Sequence, residues 1–254
     1  MLSQERQKYI RDIINKNGAV TTALLTEKFG VSVETVRRDL IALESVGELK
    51  KVHGGAVRVG DTPRQRTLFE RVDDNENAKK QIAKTASGFI QNGDTIGIDS
   101  GSTTACLAEE LIQRFDALTV ITHSLDVFDI MHGHNNIRVI LCGGDYCEEE
   151  HAFFGHLAEQ MLNNLYISKL FLSPTAISLR FGLCEWNSDI CVIQKKLSER
   201  ADAVYYLADS SKFETKALIK IDDAGENSSI ITDTALPEEI RRLYSENGVK
   251  IITQ

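Results

Sequence analysis

The sequence predicts an α/β chain led by a winged helix-turn-helix, with a Rossmann-like, mainly parallel sheet behind it. Three observations support that class. Short helical patterns punctuated by glycine, then a glycine-centred hairpin, fill residues 1–57. From 78 to 254, short apolar runs alternate with amphipathic helical stretches. Between them, 58–77 is polar and without periodicity, and reads as a linker with a helical start near its end.

Ser3 to Asn15 is helical, with Tyr9/Ile10 and Ile13/Ile14 recurring on one face and Gly18 stopping it. Val20 to Phe29 reads as a second helix, capped by Thr21 or Thr22, with Leu24, Leu25 and Phe29 inward. After Gly30, Ser32 is a good N-cap for a third, whose buried stripe is Val36, Leu40 and Leu43. On that helix Arg38 falls about 200° from Val36, opposite the core, with Glu34 beside it and Arg37 on the flank. Arg38 is therefore placed for a base edge and Arg37 for a phosphate. Ser32 and Thr35 sit where helix N–H groups favour phosphate. Asp39 would repel DNA if it faced DNA, so it is expected to pair with a basic neighbour. Leu49 to Val57 reads as a two-stranded wing turning at His53-Gly54-Gly55. A small helical domain that docks protein has the same helix spacing. The outward arginines and basic wing favour nucleic acid.

Charge taken whole argues the other way. The 254 residues carry 29 Lys+Arg and 37 Asp+Glu, a net −8. Divided after residue 58, the head holds 10 basic and 7 acidic residues and the body 19 and 30. A basic reader on an acidic body reconciles the two. No apolar run approaches the roughly 18–20 residues that span a bilayer, and the polar N-terminus is no secretory signal, so a cytoplasmic chain without a membrane partner is expected. Five cysteines without a CxxC pair read as reduced thiols. A metal set of Cys142, Cys147, His151 and His156 lacks the close paired spacing of structural sites, so no metal or cofactor is expected.

In the body, helices are expected at 78–90, 104–115, 125–132, 152–165 and 188–200. Strands are expected at 95–99, 118–122, 137–141, 170–173 and 204–208, with later ones at 218–221, 230–232 and 250–252. Ligands of such sheets bind beyond the strand carboxyl ends. Four loops stand there. Asp99 leads into Ser100-Gly101-Ser102-Thr103-Thr104, where a glycine, hydroxyls and a helix start suit phosphate, although no GK[ST] or GxGxxG is present. The others are His123-Ser124, Gly143-Gly144, and Asp209 to Phe213 with Lys212 as its cation. Each alone also reads as an ordinary turn; convergence would make a binding crevice. Asp99, Asp145, Glu185 and Asp209 could serve as bases, but no paired acid/base constellation or nucleophile motif accompanies them.

The run TVRRDL, followed by Gly47, Leu49 and HGGA at 53–56, resembles the DNA-binding domain of DeoR-family bacterial transcriptional regulators. GDTIGIDSGSTT, LTVITHS, VILCGGDY, HAFFGHLAE, LADSSKF and IITD resemble, in order, that family's sensor domain. The resemblance implies operator DNA contacts by Ser32, Thr35, Arg37, Arg38, Lys51 and His53. It implies a sensor similar in fold to ribose-5-phosphate isomerase that binds a phosphorylated sugar through Asp99, Ser100 to Thr104, His123, Ser124, Gly143, Gly144, Asp209 and Lys212. It further implies a homodimer or homotetramer acting as a repressor of sugar catabolism rather than an enzyme. A sugar-phosphate isomerase with an accessory DNA-binding domain is the alternative. The chain departs from the family pattern at His123, commonly Asn, at Ile190 and Gln194, commonly acidic and Lys, and at Ser168, commonly Asp. Lys195 is a possible substitute for the missing lysine. These departures bear on effector choice.

Overall fold

The computed structural model describes residues 3–17, 19–52, 55–58, 67–224 and 229–254. The chain divides into two compact units, Met1–Arg64 and Gln65–Gln254. The wing tip, His53 and Gly54, lies outside the described residues.

In the first unit, α1 (Ser3–Asn17), β1 (Ala19–Thr21), α2 (Thr22–Phe29) and α3 (Val33–Ser45) precede β2 (Leu49–Val52) and β3 (Gly55–Arg58). The second predicted helix is shorter than expected. Ala19–Thr21 form a strand on β3, and Thr21 then caps α2 by accepting from Leu24 N at 3.2 Å. Gly55 permits this third strand, because a Cβ there would lie 2.1 Å from the Val20 carbonyl oxygen. The shift leaves Leu25 buried and Phe29 half-buried four residues apart, while Leu24, expected inward, is 46% exposed. Gly30 ends α2 in the left-handed region at φ 62°. Ser32 caps α3, accepting from Thr35 N at 3.2 Å.

One ion pair fixes α3 on α1. Asp39 is 3% exposed and accepts from Arg6 Nε at 2.6 Å and Ser3 Oγ at 2.6 Å. Burial by itself would raise its carboxyl. Arg6, Ser3 and Gln7 outweigh that and hold it below the ordinary value.

The second unit is built on seven parallel strands in the order β15-β14-β12-β9-β4-β5-β6. Its elements are α4 (Glu76–Ser87), β4 (Thr95–Ile98), α5 (Ser102–Arg114), β5 (Leu118–Thr122), α6 (Leu125–Met131) and β6 (Ile137–Leu141). Then follow β7 (Asp145–Cys147), β8 (Ala152–Phe154), α7 (His156–Leu162), β9 (Ile167–Leu172), β10 (Ala176–Ser178) and β11 (Gly182–Glu185). The chain closes with α8 (Ser188–Ser198), β12 (Ala201–Leu207), β13 (Ile219–Asp222), β14 (Ser229–Ile231), α9 (Glu238–Glu246) and β15 (Lys250–Ile252). One apolar cluster joins α4, α5 and α6 to the sheet, through Ile82, Leu107 and Val127 among others; a second joins α7, α8 and α9, through Leu162, Ile193 and Tyr244. The sheet is thus wound on both faces.

Three body expectations change. Residues 152–165 are not one helix: Ala152–Phe154 pair with β7, and Gly155 at φ 84° breaks the chain before α7. The strand near 218–221 leaves the parallel sheet and joins β10 and β11 in an antiparallel one. The helix α9 is additional; its single buried residue, Tyr244, gives too narrow a stripe to read. The later part of the segment read as a linker is also bound. Leu68 is 3% exposed and its N–H donates to Glu149 O at 2.8 Å, and Arg71 pairs with Glu150 at 2.5 Å. Among the described residues no helix is long and apolar enough to cross a membrane.

Removing Arg6 should leave a buried carboxylate without its cation, held only by the neutral donors Ser3 and Gln7. Arg6→Met is expected to lower the stability of the N-terminal unit by about 3 kcal/mol, seen as faster amide exchange along α3. Because the Asp39 pKa is lowered on folding, its stabilisation is complete above the ordinary carboxylate value of about 3.9 and fades as pH falls below it. Asp39→Asn should flatten that acid limb.

Candidate functional site

On α3 the first two turns present Ser32, Thr35, Arg37 and Arg38 as the sequence spacing requires. The Arg37 and Arg38 side chains are 63% and 79% exposed, and both lie within 4.0 Å of the equally exposed Glu34. Ser32 Oγ and Thr35 Oγ1 are 2.9 Å apart at the helix start. Asp39 faces away from them, into α1, so the outer face loses one negative charge. Lys51 stands in β2, where its N–H donates to Glu44 Oε1 at 2.7 Å. An exposed basic face on the second helix of a helix-turn-helix, with a hairpin following, suits the major groove of DNA.

In the second unit, β4 is the first strand of the sheet yet lies inside it. The chain moves outward from β4 through β5 to β6, then returns to the other side with β9 and β12. The strand order reverses between β4 and β9, which is where open α/β sheets bind ligands. A cavity lies there. Its walls include Ser102 and Thr103 of α5, Ser173 to Thr175 after β9, and Asp209 and Lys212 after β12. Arg71, Asp74 and Lys79 complete it. The first turn of α5 gives N–H groups to this space. Gly101 enters that turn at φ 144°, and a Cβ would meet the Ser173 side chain at 3.3 Å.

Asp99 ties the cavity floor together. It is fully buried and accepts from Gln194 Nε2 at 2.8 Å and Ser173 N at 3.1 Å, and its Oδ1 lies 3.0 Å from His123 Nε2. His123 Nδ1 donates to Phe153 O at 3.2 Å. The Ser100 N–H also points at His123 Nε2, at 3.3 Å. Nearby, Glu185 is 4% exposed and accepts from Thr175 Oγ1 at 2.6 Å. Burial pushes its carboxyl up to about 7, against the opposing pull of Thr175, the Trp186 N–H and Arg71.

The sequence matches the family described as the DeoR-like helix-turn-helix domain over residues 6–62, and the DeoR C terminal sensor domain over 74–234. The chain belongs to the DeoR family. An uncharacterized HTH-type transcriptional regulator, YulB, of Bacillus subtilis is 33% identical, over 99% of this chain and 96% of that one. The L-fucose operon activator of Haemophilus influenzae is 30% identical (97% and 98% covered), and the lactose phosphotransferase system repressor of Lactococcus lactis 32% (97% of each). Among solved structures, ribose 5-phosphate isomerase A of Methanocaldococcus jannaschii superposes with a TM-score of 0.42 at 19% identity, over 55% of each chain. As a DeoR-family member the chain is a transcriptional regulator and not an enzyme.

Within this DeoR-family sensor, two of the four strand-end loops reach the cavity. Ser102, Thr103, Asp209 and Lys212 line it. Asp99, Ser100, Gly101 and Thr104 lie behind them; Thr104 Oγ1 donates to Gly101 O at 2.9 Å and holds the turn. His123 serves Asp99 from the β5 end. Ser124 is instead the N-cap of α6, accepting from Val127 N. Gly143 and Gly144 are outside the lining, and Gly144 is a packing glycine, since a Cβ there would lie 2.2 Å from Phe154 O. Of the departures from the family pattern, Ile190 joins the core, Ser168 Oγ donates to Thr95 O at 2.8 Å, and Gln194 occupies the interior while Lys195 is exposed.

Arg71, Asp74, Lys79 and the Ser173 to Thr175 turn escaped the sequence reading. Lys79 had a signal, a lysine on the apolar face of α4, three residues from Ile82. It is 3% exposed and donates to the Arg71 and Val72 carbonyls at 2.5 and 2.9 Å. Burial lowers its pKa. Lys212 has no ion-pair partner among the described residues.

The raised Glu185 pKa fixes a sign. The folded chain holds this proton between the ordinary carboxylate value of about 4.3 and about 7, so folding loses stability as pH rises through that interval. Glu185→Gln should melt above the parent at pH 8 and converge with it at pH 4, measured by calorimetry.

Proposed function

We propose that this regulator represses a carbohydrate-catabolism operon and releases its operator when a phosphorylated sugar enters the β4–β9 crevice. The observation that carries the effector reading is the crevice itself: the first turn of α5 on one side and the unpaired Lys212 on the other. Helix N–H groups and an ammonium are complementary to a phosphate dianion. Asp209 and the Thr175 hydroxyl add acceptors suited to sugar hydroxyls. On the DNA side, a homodimer or homotetramer acting in the cytoplasm would present paired α3 helices to repeated half-sites. Ser32, Thr35, Arg37 and Lys51 then meet phosphates and Arg38 a base edge; His53, outside the described residues, is a further proposed contact. Relatives carry both signs in their names, one a repressor and one an activator. Release of the operator follows from a ligand that binds the DNA-free state better, and a hundredfold change needs about 2.7 kcal/mol of differential affinity.

Arg38→Ala should cost about 1–3 kcal/mol of operator affinity and relax selectivity at one base position, read by fluorescence anisotropy on duplexes selected with the parent chain. Unchanged affinity removes Arg38 from the interface. Lys212→Ala should keep operator binding and lose the response to phosphorylated sugars. A thermal-shift screen of pentose and hexose phosphates identifies the effector, since occupancy at ~100 times Kd adds about 2.7 kcal/mol. No shift with any phosphate ester would refute the effector reading.

A further inference from the structure

Asn75 stands just ahead of α4, in the position where asparagine is among the best N-caps. It does not cap the helix. Its backbone is left-handed, at φ 52°, and its side chain makes no bond to the first turn. The amide is turned across the fold to residues far away in sequence: Nδ2 donates to Asp209 Oδ1 at 3.1 Å and to Ser211 Oγ at 3.3 Å. The helix thus gives up the local stability of a side-chain cap for this distant bond.

The acceptor is overcommitted. Asp209 Oδ1 already takes the Ser211 N–H at 3.0 Å and the Ser211 hydroxyl. Two lone pairs thus face three donors, and the donor from Asn75 is the longest and comes from an exposed residue. Asp209 also lines the cavity, beside Lys212. A hydroxyl arriving there competes with the Asn75 amide for the same carboxylate.

Behind Asn75 the chain forms a strap, residues 67–75. It is held by the Leu68 N–H on Glu149 O, by Arg71 on Glu150, and by Lys79 under the Arg71 and Val72 carbonyls. Asn75 fastens its last residue. The strap is also the stretch of the sensor that the linker from the DNA-binding unit enters in sequence.

We propose that Asn75 is the positioning residue that couples effector to operator: an effector hydroxyl displaces its amide from Asp209 and frees the strap from the cavity wall. This rests on the phosphorylated-sugar reading above and adds that the effector acts through a hydroxyl at Asp209, not through its phosphate alone. In a two-state scheme the effector favours the unlatched strap and the operator the latched one.

Asn75→Gly tests it in the full chain. Glycine accepts the left-handed backbone and is tolerated at an N-cap, so only the latch is removed. The probes are the sugar phosphate giving the largest thermal shift on the parent chain, inorganic phosphate, and a duplex selected with the parent chain. The variant should bind the sugar phosphate about fivefold more tightly or better and the duplex more weakly by a similar factor, as coupling energies of this kind imply. Inorganic phosphate, lacking the hydroxyl, should bind both chains equally. The amides of Leu68, Arg71 and Asp74 should exchange faster in the unliganded variant, as they do in the parent with the sugar phosphate bound. Weaker binding of both sugar phosphate and duplex marks Asn75 as merely structural and overturns the proposal. So do unchanged affinities, or an equal gain for inorganic phosphate. Sugar phosphates that bind neither chain overturn the effector reading, and the coupling falls with it.

Discussion

A carboxylate with no exposure to water must be satisfied by the protein or neutralised. Asp99 meets that requirement with the Ser173 N–H after β9 and the Gln194 amide of α8 as donors, and with the His123 ring after β5 against its other oxygen. β5 and β9 flank β4 on its two sides, so the acid at the end of β4 links both halves of the sheet. The floor of the crevice is therefore set by one acid, and the direction of the α5 turn that follows it is inherited from that acid. Loosening any partner leaves a buried oxygen short of a hydrogen bond, which is costlier than losing a surface contact. Among the described residues the Gln194 carbonyl oxygen has no partner, so the arrangement is tuned to Asp99 rather than to the glutamine.

Asp39 does the corresponding work in the N-terminal unit. It lies on the recognition helix yet turns inward to Arg6, directly after the two arginines that turn outward. Its negative charge is consumed in orienting the helix. In both units a buried carboxylate orients the residues proposed to bind, while its own oxygens are taken up by protein donors.

Much of this was legible in the sequence, and the limits have physical causes. Caps and periodicity located α3, β5, β6 and β15 closely, because each has a local stop signal or an uninterrupted apolar run. Leu24 was misplaced because the phase of α2 is set by β1, a pairing with residues more than thirty positions away. The loops with Asp209 and Lys212 were found because strand-end glycines, hydroxyls and charges stand out. Ser124 and Gly144 share that composition but answer to α6 and to Phe154, and no local pattern separates a cap or a packing glycine from a ligand loop. Arg71 was hidden for the opposite reason: polarity in 58–77 reads as linker, while its bond to Glu150 spans 79 residues. His53 belongs to a segment outside the described residues, and its place in the wing rests on its sequence neighbours.

The order of strands also divides the protein in time. The reader's elements end at Arg58, whereas the crevice needs β4, β9 and β12 together, so its last contributor is Lys212. At roughly 5–20 residues per second of synthesis, that gap is on the order of ten seconds or more. A nascent chain, or one cut short anywhere in that interval, holds every residue of the reader and an incomplete crevice. Premature termination in the sensor therefore removes the capacity to hear the effector before it removes the elements that meet DNA.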